Sequence, residues 1–259
     1  MLHALRAQSV RNFNNIPKYK FSVIAISYEI GRYEDTDLKI ILFGASGMVG
    51  QGVLRECLLD PDVESVLAVV RSPLGQPQRN EKKVREIIHS DFTDFSAVEK
   101  HWMGYDACFF CLGVSSFGMS EKDYAHVTKD FTLAAAQSLS RSNPGMTFIY
   151  VSGTGTDSSE RGRVMWARVK GETENRLLKM PFKGVYMFRP GFIQPLHGIR
   201  SKTALYRIPY LFMGPFIPLL KALFPKIITS TEQVGRAMIR IAKQGTPKRL
   251  LENKDINEL

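Results

Sequence analysis

Short apolar runs alternate along the chain with longer segments in which apolar residues recur at every third or fourth position. Runs of the first kind are typical of buried strands, and the longer spacing is typical of helices that cover a sheet. The predicted strands are Leu38–Phe43, Ser65–Val70, Val84–Ile88, Tyr105–Leu112, Met146–Val151 and Gly184–Phe188. The predicted helices are Val49–Leu59, Phe95–Trp102, Ser120–Ser142, Arg163–Lys179 and Thr231–Lys243. Their alternation predicts an α/β fold, a doubly wound parallel sheet with helices on both faces.

The alternation of strands and helices defines the domain organisation. It begins at residue 38, so we predict one α/β domain over residues 38–259. Within it, residues 191–230 interrupt the pattern and are predicted to form a small C-terminal lobe that covers a substrate. Residues 1–37 do not fit the pattern and are predicted to be an N-terminal extension. Because ligands of doubly wound sheets bind beyond the carboxyl ends of the strands, motifs at those ends are the candidate sites.

The first predicted strand runs directly into a glycine-rich loop, and a helix follows it. Three glycines stand at positions 1, 4 and 7 of the segment Gly44–Gly50. The first allows a tight turn, the second lets a pyrophosphate approach the backbone, and the third lets the helix pack close to the strand. The N–H groups at the start of the helix would then bind the phosphates. The predicted phosphate-binding residues are Gly44, Ser46, Gly47, Met48, Val49 and Gly50.

The next two strand ends carry residues suited to the adenosine half of a dinucleotide. The second strand ends at Arg71 rather than at an acid, and a guanidinium suits the 2′-phosphate of NADP(H) better than the 2′-hydroxyl of NAD(H). We therefore expect NADP(H), with NAD(H) less favoured; the alternative is a surface arginine without a ligand. After the third strand, Asp91 is predicted to accept from the adenine amino group and Phe92 to cover the base. Asp91 capping the next helix is the alternative.

Composition is that of an ordinary globular protein. Hydrophobic residues make up 44% and charged residues 23%, and 16 Phe exclude disorder as the main state. The three cysteines are Cys57, Cys108 and Cys111, an odd number that fits a reducing compartment. Cys108 and Cys111 have the spacing of a redox pair but lie inside an apolar strand, so we interpret them as core residues. With no clustered histidines, no metal site is expected.

The net charge of +10 is concentrated near the carboxyl end of the chain. Residues 200–250 contain ten Lys and Arg and a single acid, Glu232, which accounts for +9 of the total. Such a field suits an acidic protein or an anionic membrane surface, although a solvated basic face is the alternative. No nucleic-acid-binding motif accompanies it. The apolar segment Ile208–Leu220 is too short to span a bilayer and is interpreted as a cover over a pocket.

The beginning of the chain raises the question of location. Residues 1–28 contain four basic residues and no acid, which would suit an organelle-targeting peptide. Serine is scarce there, however, and the apolar run Val23–Ile26 is too short for a secretory signal. We interpret the segment as an extension without a targeting role and expect a cytoplasmic protein, with the oligomeric state left open.

The ordered set of motifs resembles that of the atypical short-chain dehydrogenase/reductases, the NAD(P)-binding branch that includes epimerases and dehydratases. The resemblance rests on Gly44–Gly50, Asp91–Phe92, Cys111–Gly113, Tyr150–Ser152 and Arg189–Gly191. Within that branch the chain is most similar to the Tat-interacting-protein-like oxidoreductases, on Cys111–Gly113, Val127–Phe131, Val169–Glu172 and Phe188–Gly191. The resemblance extends over about residues 38–245 and implies a Rossmann-type NAD(P)-binding domain. The further cofactor contacts that it implies are Leu112, Gly113 and Pro190.

The resemblance also implies a catalytic set of a serine, a tyrosine and a lysine four residues after the tyrosine. Ser152 matches the serine, and Lys170 matches the lysine, which would also hold the ribose hydroxyls. Trp166 stands at the tyrosine position, and an indole does not titrate near neutral pH. Trp166 and Lys170 still share one helix face, so cofactor binding is expected to persist while the source of the proton is in doubt.

Three functions remain open at this point. The first is an NADP(H)-binding oxidoreductase acting on a small-molecule carbonyl or alcohol, with a hydrophobic substrate expected. Its proton would come from Ser152, from water, or from Tyr150, Tyr206 or Tyr210. The second is a non-catalytic NADP(H)-binding sensor or scaffold, and the third is an epimerase that keeps its nicotinamide bound. We favour the oxidoreductase.

Overall fold

The computed structural model describes residues 37–75, 81–199 and 227–259. The strands of this part of the chain are β1 Leu38–Phe43, β2 Val63–Val70, β3 Val84–Ile88, β4 Ala107–Phe110, β5 Thr147–Val151, β6 Gly184–Arg189, β7 Phe192–Gln194, β8 Ile228–Ser230 and β9 Leu250–Glu252. Its α-helices are α1 Met48–Leu59, α2 Glu121–Ala125, α3 Phe131–Ser142, α4 Met165–Leu177, α5 Thr231–Gln244 and α6 Asn253–Glu258.

Seven of these strands form one sheet in the order β3-β2-β1-β4-β5-β6-β9, and every pairing in it is parallel. The chain moves outward from β1 to β3 and then returns to β4 on the other side of β1. A crevice opens at such a reversal, beyond the carboxyl ends of β1 and β4. The predicted doubly wound, Rossmann-type fold is therefore confirmed. Strands β7 and β8 form a separate two-stranded parallel sheet.

The two faces of the large sheet carry two different cores because side chains alternate along each strand. On β1, Ile40 and Leu42 face the core that α1 and α5 cover, whereas Ile41 and Phe43 face the core that α3 covers. The second core is rich in aromatic rings, and Phe43 lies at its centre, 5.0 Å from the ring of Phe110. Both helix layers therefore hold β1 in place, and with it the loop that follows.

The predicted helix over Phe95–Trp102 is wrong. Only a 3₁₀ turn forms there, Glu99–His101. The apolar residues that suggested an amphipathic helix are instead buried singly: Phe95 packs edge-on against Phe43, and the indole of Trp102 donates to Ser138 Oγ over 2.9 Å. Burial of two large rings in the aromatic core thus determines the path of this segment.

The long helix predicted over Ser120–Ser142 exists but is interrupted in its middle. Ser120 caps α2, with its side chain accepting from the backbone N–H of Asp123. A π-helical turn, His126–Asp130, then joins α2 to α3. Such a turn inserts an extra residue into the helix, and the periodicity of apolar positions does not reveal it. The strand predicted over Tyr105–Leu112 is likewise shorter, since β4 covers only Ala107–Phe110.

Several predictions concern residues outside the described part of the chain. The N-terminal extension 1–37, apart from its last residue, and most of the predicted lobe 191–230 belong to this group, together with Tyr206, Tyr210 and the apolar segment Ile208–Leu220. Of the lobe, residues 191–199 and 227–230 are described, and they contain β7 and β8. Among the described residues, no helix is long and apolar enough to cross a membrane.

Candidate cofactor and active site

A cavity of about 580 Å³ lies beyond the carboxyl ends of β1, β4, β5 and β6. Its volume is in the range of small-molecule and cofactor pockets. The predicted site residues that line it are Gly44, Ser46, Gly47, Met48, Val49, Arg71, Leu112, Gly113, Ser152, Trp166, Lys170 and Pro190. Three others, Gly50, Asp91 and Phe92, do not line it. One concave site thus collects residues from the whole span of the predicted motifs.

The glycine loop is shaped by close approaches of the backbone to itself. Gly44 has a φ of +80°, and a Cβ there would lie 2.6 Å from the backbone of Leu112. A Cβ on Gly50 would lie 2.1 Å from the carbonyl oxygen of Gly44, so α1 can pack on the loop only if position 50 is a glycine. Gly50 therefore acts from outside the cavity, by bringing the helix to it.

The first turn of α1 lies at this cavity without a side-chain cap. Gly47 is the residue that precedes the helix, and no side chain caps its first turn, which contains no acidic residue. A helix of this length carries a partial positive charge at its amino end, which favours a phosphate. At the far wall, a Cβ on Gly113 would have no atom within 4 Å, so the cavity offers open space against that backbone. These features fit a bound dinucleotide.

Arg71 lies where the sequence places it, at the end of β2 and on the wall of the cavity. Its side chain is exposed and forms no ion pair with any described residue. A guanidinium that is not paired within the protein can bind a phosphate with two parallel hydrogen bonds. The arrangement is suited to a 2′-phosphate and equally compatible with a solvated arginine.

The prediction that Phe92 covers the adenine is corrected by the structure. Its side chain is only 2% exposed and packs in the aromatic core with Phe43 and Phe131, because the chain turns inward after β3. Asp91 stays at the surface, where its carboxylate accepts from the backbone N–H and the hydroxyl of Thr93. The Thr93 hydroxyl, and then its N–H, lower the pKa of Asp91. Asp91 thus stabilises a turn, although no helix begins there.

Ser152 lines the cavity, but its hydroxyl is bonded within the protein. Its Oγ donates to Glu174 Oε1 at 2.5 Å, and the one other acceptor within reach in the described part of the chain is the carbonyl oxygen of Phe188 at 3.2 Å. Glu174 is fully buried and also accepts from Nε and Nη2 of Arg189. Because a hydroxyl has one proton, Ser152 can accept a hydrogen bond from a ligand but has no proton to offer it.

Lys170 and Trp166 lie one helical turn apart on α4, and both line the cavity. The ammonium of Lys170 donates to the carbonyl oxygen of Ser152. Burial lowers the pKa of Lys170 to about 8, while the nearby Glu174 carboxylate acts in the opposite direction. The indole of Trp166 lies over Gly155, whose Cβ would be 3.3 Å from the ring. The geometry of the lysine and its neighbour is therefore kept, with an indole in place of a phenol.

The described alternatives for the proton donor lie outside the cavity or do not ionise. Tyr150 is 1% exposed, belongs to the aromatic core, and has a pKa raised by burial. Cys111 lines the cavity, but burial raises the pKa of its thiol as well. Cys108 is fully buried in β4, as its interpretation as a core residue predicts, whereas Cys111 lies just beyond the end of β4 and is only partly buried.

Sequence reasoning missed the importance of Glu174 and Arg189. Glu174 stands four residues after Lys170, and Arg189 ends β6, so both signals were in the sequence. An acid on the buried side of α4 indicates a partner charge, since carboxylates are rarely buried alone. What it could not indicate is which of the many arginines fills that role.

The basic residues of the described part of 200–250 are already engaged. Arg236 pairs with Glu56 and Glu232, Lys243 with Asp62, and Lys248 with Asp255. Arg240 donates to the carbonyl oxygen of Leu259, and Arg249 lies over the ring of Tyr186. These contacts reduce the share of the basic field that is available to a partner.

The comparison with known proteins agrees with the dinucleotide-binding geometry of the cavity. Residues 44–176 match the family described as NAD(P)H-binding, and the chain belongs to that family. The NAD(P)-binding domain that the resemblance to the atypical short-chain dehydrogenase/reductases implies is thereby confirmed.

Among named relatives, the chain is 26% identical over 157 residues to protein HTATIP2 of Rattus norvegicus, covering 60% of this chain and 62% of the rat protein. It is 28% identical over 165 residues to the mitochondrial protein FMP52 of Saccharomyces cerevisiae, covering 63% of this chain and 68% of the yeast protein. The chain thus spans less than two thirds of the length of the rat relative.

Solved structures show the same fold. The enzyme WbmF of Bordetella bronchiseptica, in complex with NAD⁺, superposes with a TM-score of 0.60 at 17% identity, over 86% of this chain and 77% of that chain. An oxidoreductase of the short-chain dehydrogenase/reductase family from Burkholderia thailandensis superposes with a TM-score of 0.59 at 14% identity, over 85% of this chain and 93% of that chain.

Proposed function

We propose that this protein binds NADP(H) in the cavity beyond β1 and β4 and uses it to reduce or oxidise a small carbonyl or alcohol. The observation that carries the proposal is the uncapped, acid-free first turn of α1, which opens into a cavity lined by Arg71. The pyrophosphate would bind at Gly47 and Met48, and the 2′-phosphate at Arg71. When bound, the nicotinamide would supply or accept a hydride.

Three apolar side chains of the cavity wall indicate an apolar substrate. Val114, Trp166 and Ile193 line the cavity, and Val114 is 39% exposed. Apolar side chains at the mouth of a pocket favour ligands that bury apolar surface. We therefore propose a hydrophobic ketone, aldehyde or secondary alcohol as the substrate class.

A non-catalytic NADP(H) sensor is the second candidate, and two observations favour it. Trp166 stands where a titrating phenol is expected, and the hydroxyl of Ser152 donates to Glu174. Such a protein would bind the nucleotide as well as an enzyme does, without turnover. A nicotinamide-dependent epimerase is the third candidate, and none of the described residues that line the cavity favours it over the other two.

Titration calorimetry of the full chain with NADPH and with NADH tests nucleotide binding. We expect both to bind and NADPH to bind more tightly. At 100 times Kd, NADPH should raise the free energy of unfolding by about 2.7 kcal/mol. If neither nucleotide binds, the proposed function is wrong. Turnover is then tested by following NADPH oxidation with a series of ketones and aldehydes of increasing chain length. Binding without turnover of any of them would select the sensor.

Location and partners remain predictions. A cytoplasmic location is our first expectation, although the yeast relative is named as mitochondrial and residues 1–28 are basic and free of acids. A fluorescent fusion at the carboxyl end, with and without residues 1–28, distinguishes the two. An acidic protein or an anionic membrane surface remains the proposed partner of residues 200–250.

A further inference from the structure

Carbonyl reduction in this cavity requires a proton for the substrate oxygen, and few of the groups around it hold one. Among the described residues that line the cavity, the titratable side chains are Arg71, Cys111 and Lys170. An arginine does not release its proton in a protein, and burial holds the thiol proton of Cys111. Ser152 donates within the protein. Of these titratable side chains, Lys170 is the one whose ammonium can release a proton near neutral pH.

We propose that Lys170 itself donates the proton to the substrate oxygen, in the role that a tyrosine would fill at position 166. The inference rests on the proposed reductase function and adds a proton path to it. The carbonyl carbon gains the hydride that the reduced dinucleotide supplies, and the oxygen gains a proton from Nζ of Lys170. The products are an alcohol, the oxidised dinucleotide and a neutral amine, which regains its proton from water.

The position of the ammonium supports this role. Nζ donates one of its three protons to the carbonyl oxygen of Ser152, at the end of β5. Among the described residues, no second group accepts from Nζ, so two protons are left for ligands, and both Lys170 and Ser152 line the cavity. The hydroxyl oxygen of Ser152 retains a lone pair, so it can accept a hydrogen bond from the hydroxyl of the alcohol product. Lys170 would thus donate the proton to the substrate oxygen, and Ser152 would accept a hydrogen bond from the alcohol that forms.

The charged groups on the elements packed against Lys170 are largely paired with one another. Glu174, on the next turn of α4, is held by Arg189 of β6. Lys129 of the π-helical turn pairs with Glu172 over 3.0 Å. Of these groups, Glu174 is the one that favours the protonated lysine, and burial outweighs it, so the pKa lies near 8. A donor with a pKa near the working pH transfers its proton efficiently.

The first test measures the titration of Lys170 without turnover. The full chain is labelled with ¹³C-lysine, and the Cε resonance that disappears in Lys170→Arg is followed against pH. We expect a midpoint near 8, as its burial dictates. Lys129→Arg is the matched control and should remove a different resonance. A midpoint near the ordinary lysine value of about 10.4 would overturn the proposal, whatever the nucleotide does.

The second test follows NADPH oxidation by the carbonyl series. In the native chain, kcat should fall as the pH rises through about 8, where the ammonium is lost. Lys170→Arg should lower kcat by roughly 10²- to 10⁴-fold while NADPH still binds, and Lys129→Arg should leave it unchanged. Adding Trp166→Tyr to Lys170→Arg should restore part of the rate, because a phenol again supplies the proton.

The outcomes separate the two proposals. An active Lys170→Arg variant, or turnover by Trp166→Tyr with none in the native chain, would overturn the lysine donor and leave NADP(H) binding intact. If the native chain binds neither NADPH nor NADH, the proposed function is overturned, even if Lys170 titrates with a midpoint near pH 8. If the native chain and Trp166→Tyr both bind NADPH but neither turns over any carbonyl, both the reductase function and the proton transfer from Lys170 are overturned.

Discussion

The hydroxyl of Ser152 donates its proton to the carboxylate of Glu174 over 2.5 Å, beneath the floor of the cavity. Glu174 in turn accepts two hydrogen bonds from Arg189, so the serine, the acid and the arginine form one buried unit. A buried carboxylate needs such partners, because its desolvation is costly without them. These hydrogen bonds direct the hydroxyl proton of Ser152 toward Glu174, so Ser152 can accept a hydrogen bond from a ligand in the cavity but cannot donate one.

Glu174→Gln should lower the free energy of unfolding by about 3–5 kcal/mol, since it leaves the guanidinium of Arg189 without its buried counter-ion. Urea unfolding at neutral pH measures the change. Glu172→Gln on the same helix is the control, because Glu172 is partly exposed and pairs with Lys129 and Arg176 at the surface. It should cost no more than about 1 kcal/mol. Equal costs for the two variants would contradict a buried role for Glu174.

Two glycines of the site should respond in opposite ways to alanine. Gly50→Ala places a Cβ 2.1 Å from a backbone oxygen, so it should destabilise the fold by about 1–3 kcal/mol or more. Gly113→Ala places a Cβ in open space on the cavity wall, so it should leave stability within about 0.5 kcal/mol. If the dinucleotide occupies that space, Gly113→Ala should weaken NADPH binding by roughly tenfold.

Unfolding curves and calorimetry on both variants decide the matter. A Gly113→Ala protein that folds normally and binds NADPH with unchanged affinity would place the dinucleotide elsewhere. A Gly50→Ala protein with native stability would show that α1 does not rely on the close approach to Gly44.

How much of this site the sequence could predict depends on the kind of signal. The glycine loop was predictable because its spacing reports backbone geometry directly, and Gly44 and Gly50 do make the required approaches. Lys170 and Trp166 were predictable as neighbours from helical spacing alone. Local patterns of this kind need no knowledge of distant packing.

Predictions failed where distant packing decides. Phe92 follows a strand end that faces the cofactor side, yet its ring is drawn into the aromatic core beside Phe43. Ser152 was matched as a donor, and its orientation depends on Glu174 and Arg189, which are 22 and 37 residues further along the chain. No local pattern specifies which buried acid a serine meets.

Arg71→Gln should remove the preference for NADPH over NADH. Charge-assisted hydrogen bonds to a phosphate contribute about 1.5–3 kcal/mol, so NADPH binding should weaken by roughly tenfold to a hundredfold, with NADH nearly unchanged. Calorimetry with both nucleotides provides the measurement. Arg141→Gln is the control, because Arg141 is also exposed but lies in the last turn of α3. A preference that survives Arg71→Gln would leave the 2′-phosphate without its proposed partner.

The lowered pKa of Lys170 should also appear in the pH dependence of stability. Burial lowers this pKa to about 8 in the folded chain, whereas a solvated lysine of the unfolded chain has a pKa of 10.5. Between pH 8 and pH 10.5 the unfolded chain therefore binds more protons than the folded chain. Stability that depends on this group therefore rises with pH across that window, by at most about 1.4 kcal/mol per pH unit. Below the window both states are protonated, and the cost of burying the ammonium is constant.

Lys170→Gln isolates that effect, because other groups titrate alike in both chains. Urea unfolding at intervals between pH 7 and pH 11 should show the native chain gaining stability relative to Lys170→Gln only above a pH of about 8. Lys129→Gln, which removes a lysine paired at the surface with Glu172, should show no such gain. A difference between the native chain and Lys170→Gln that stays constant with pH would mean that the ammonium is solvated. It would then hold its proton as firmly as any surface lysine and could not deliver it near neutral pH.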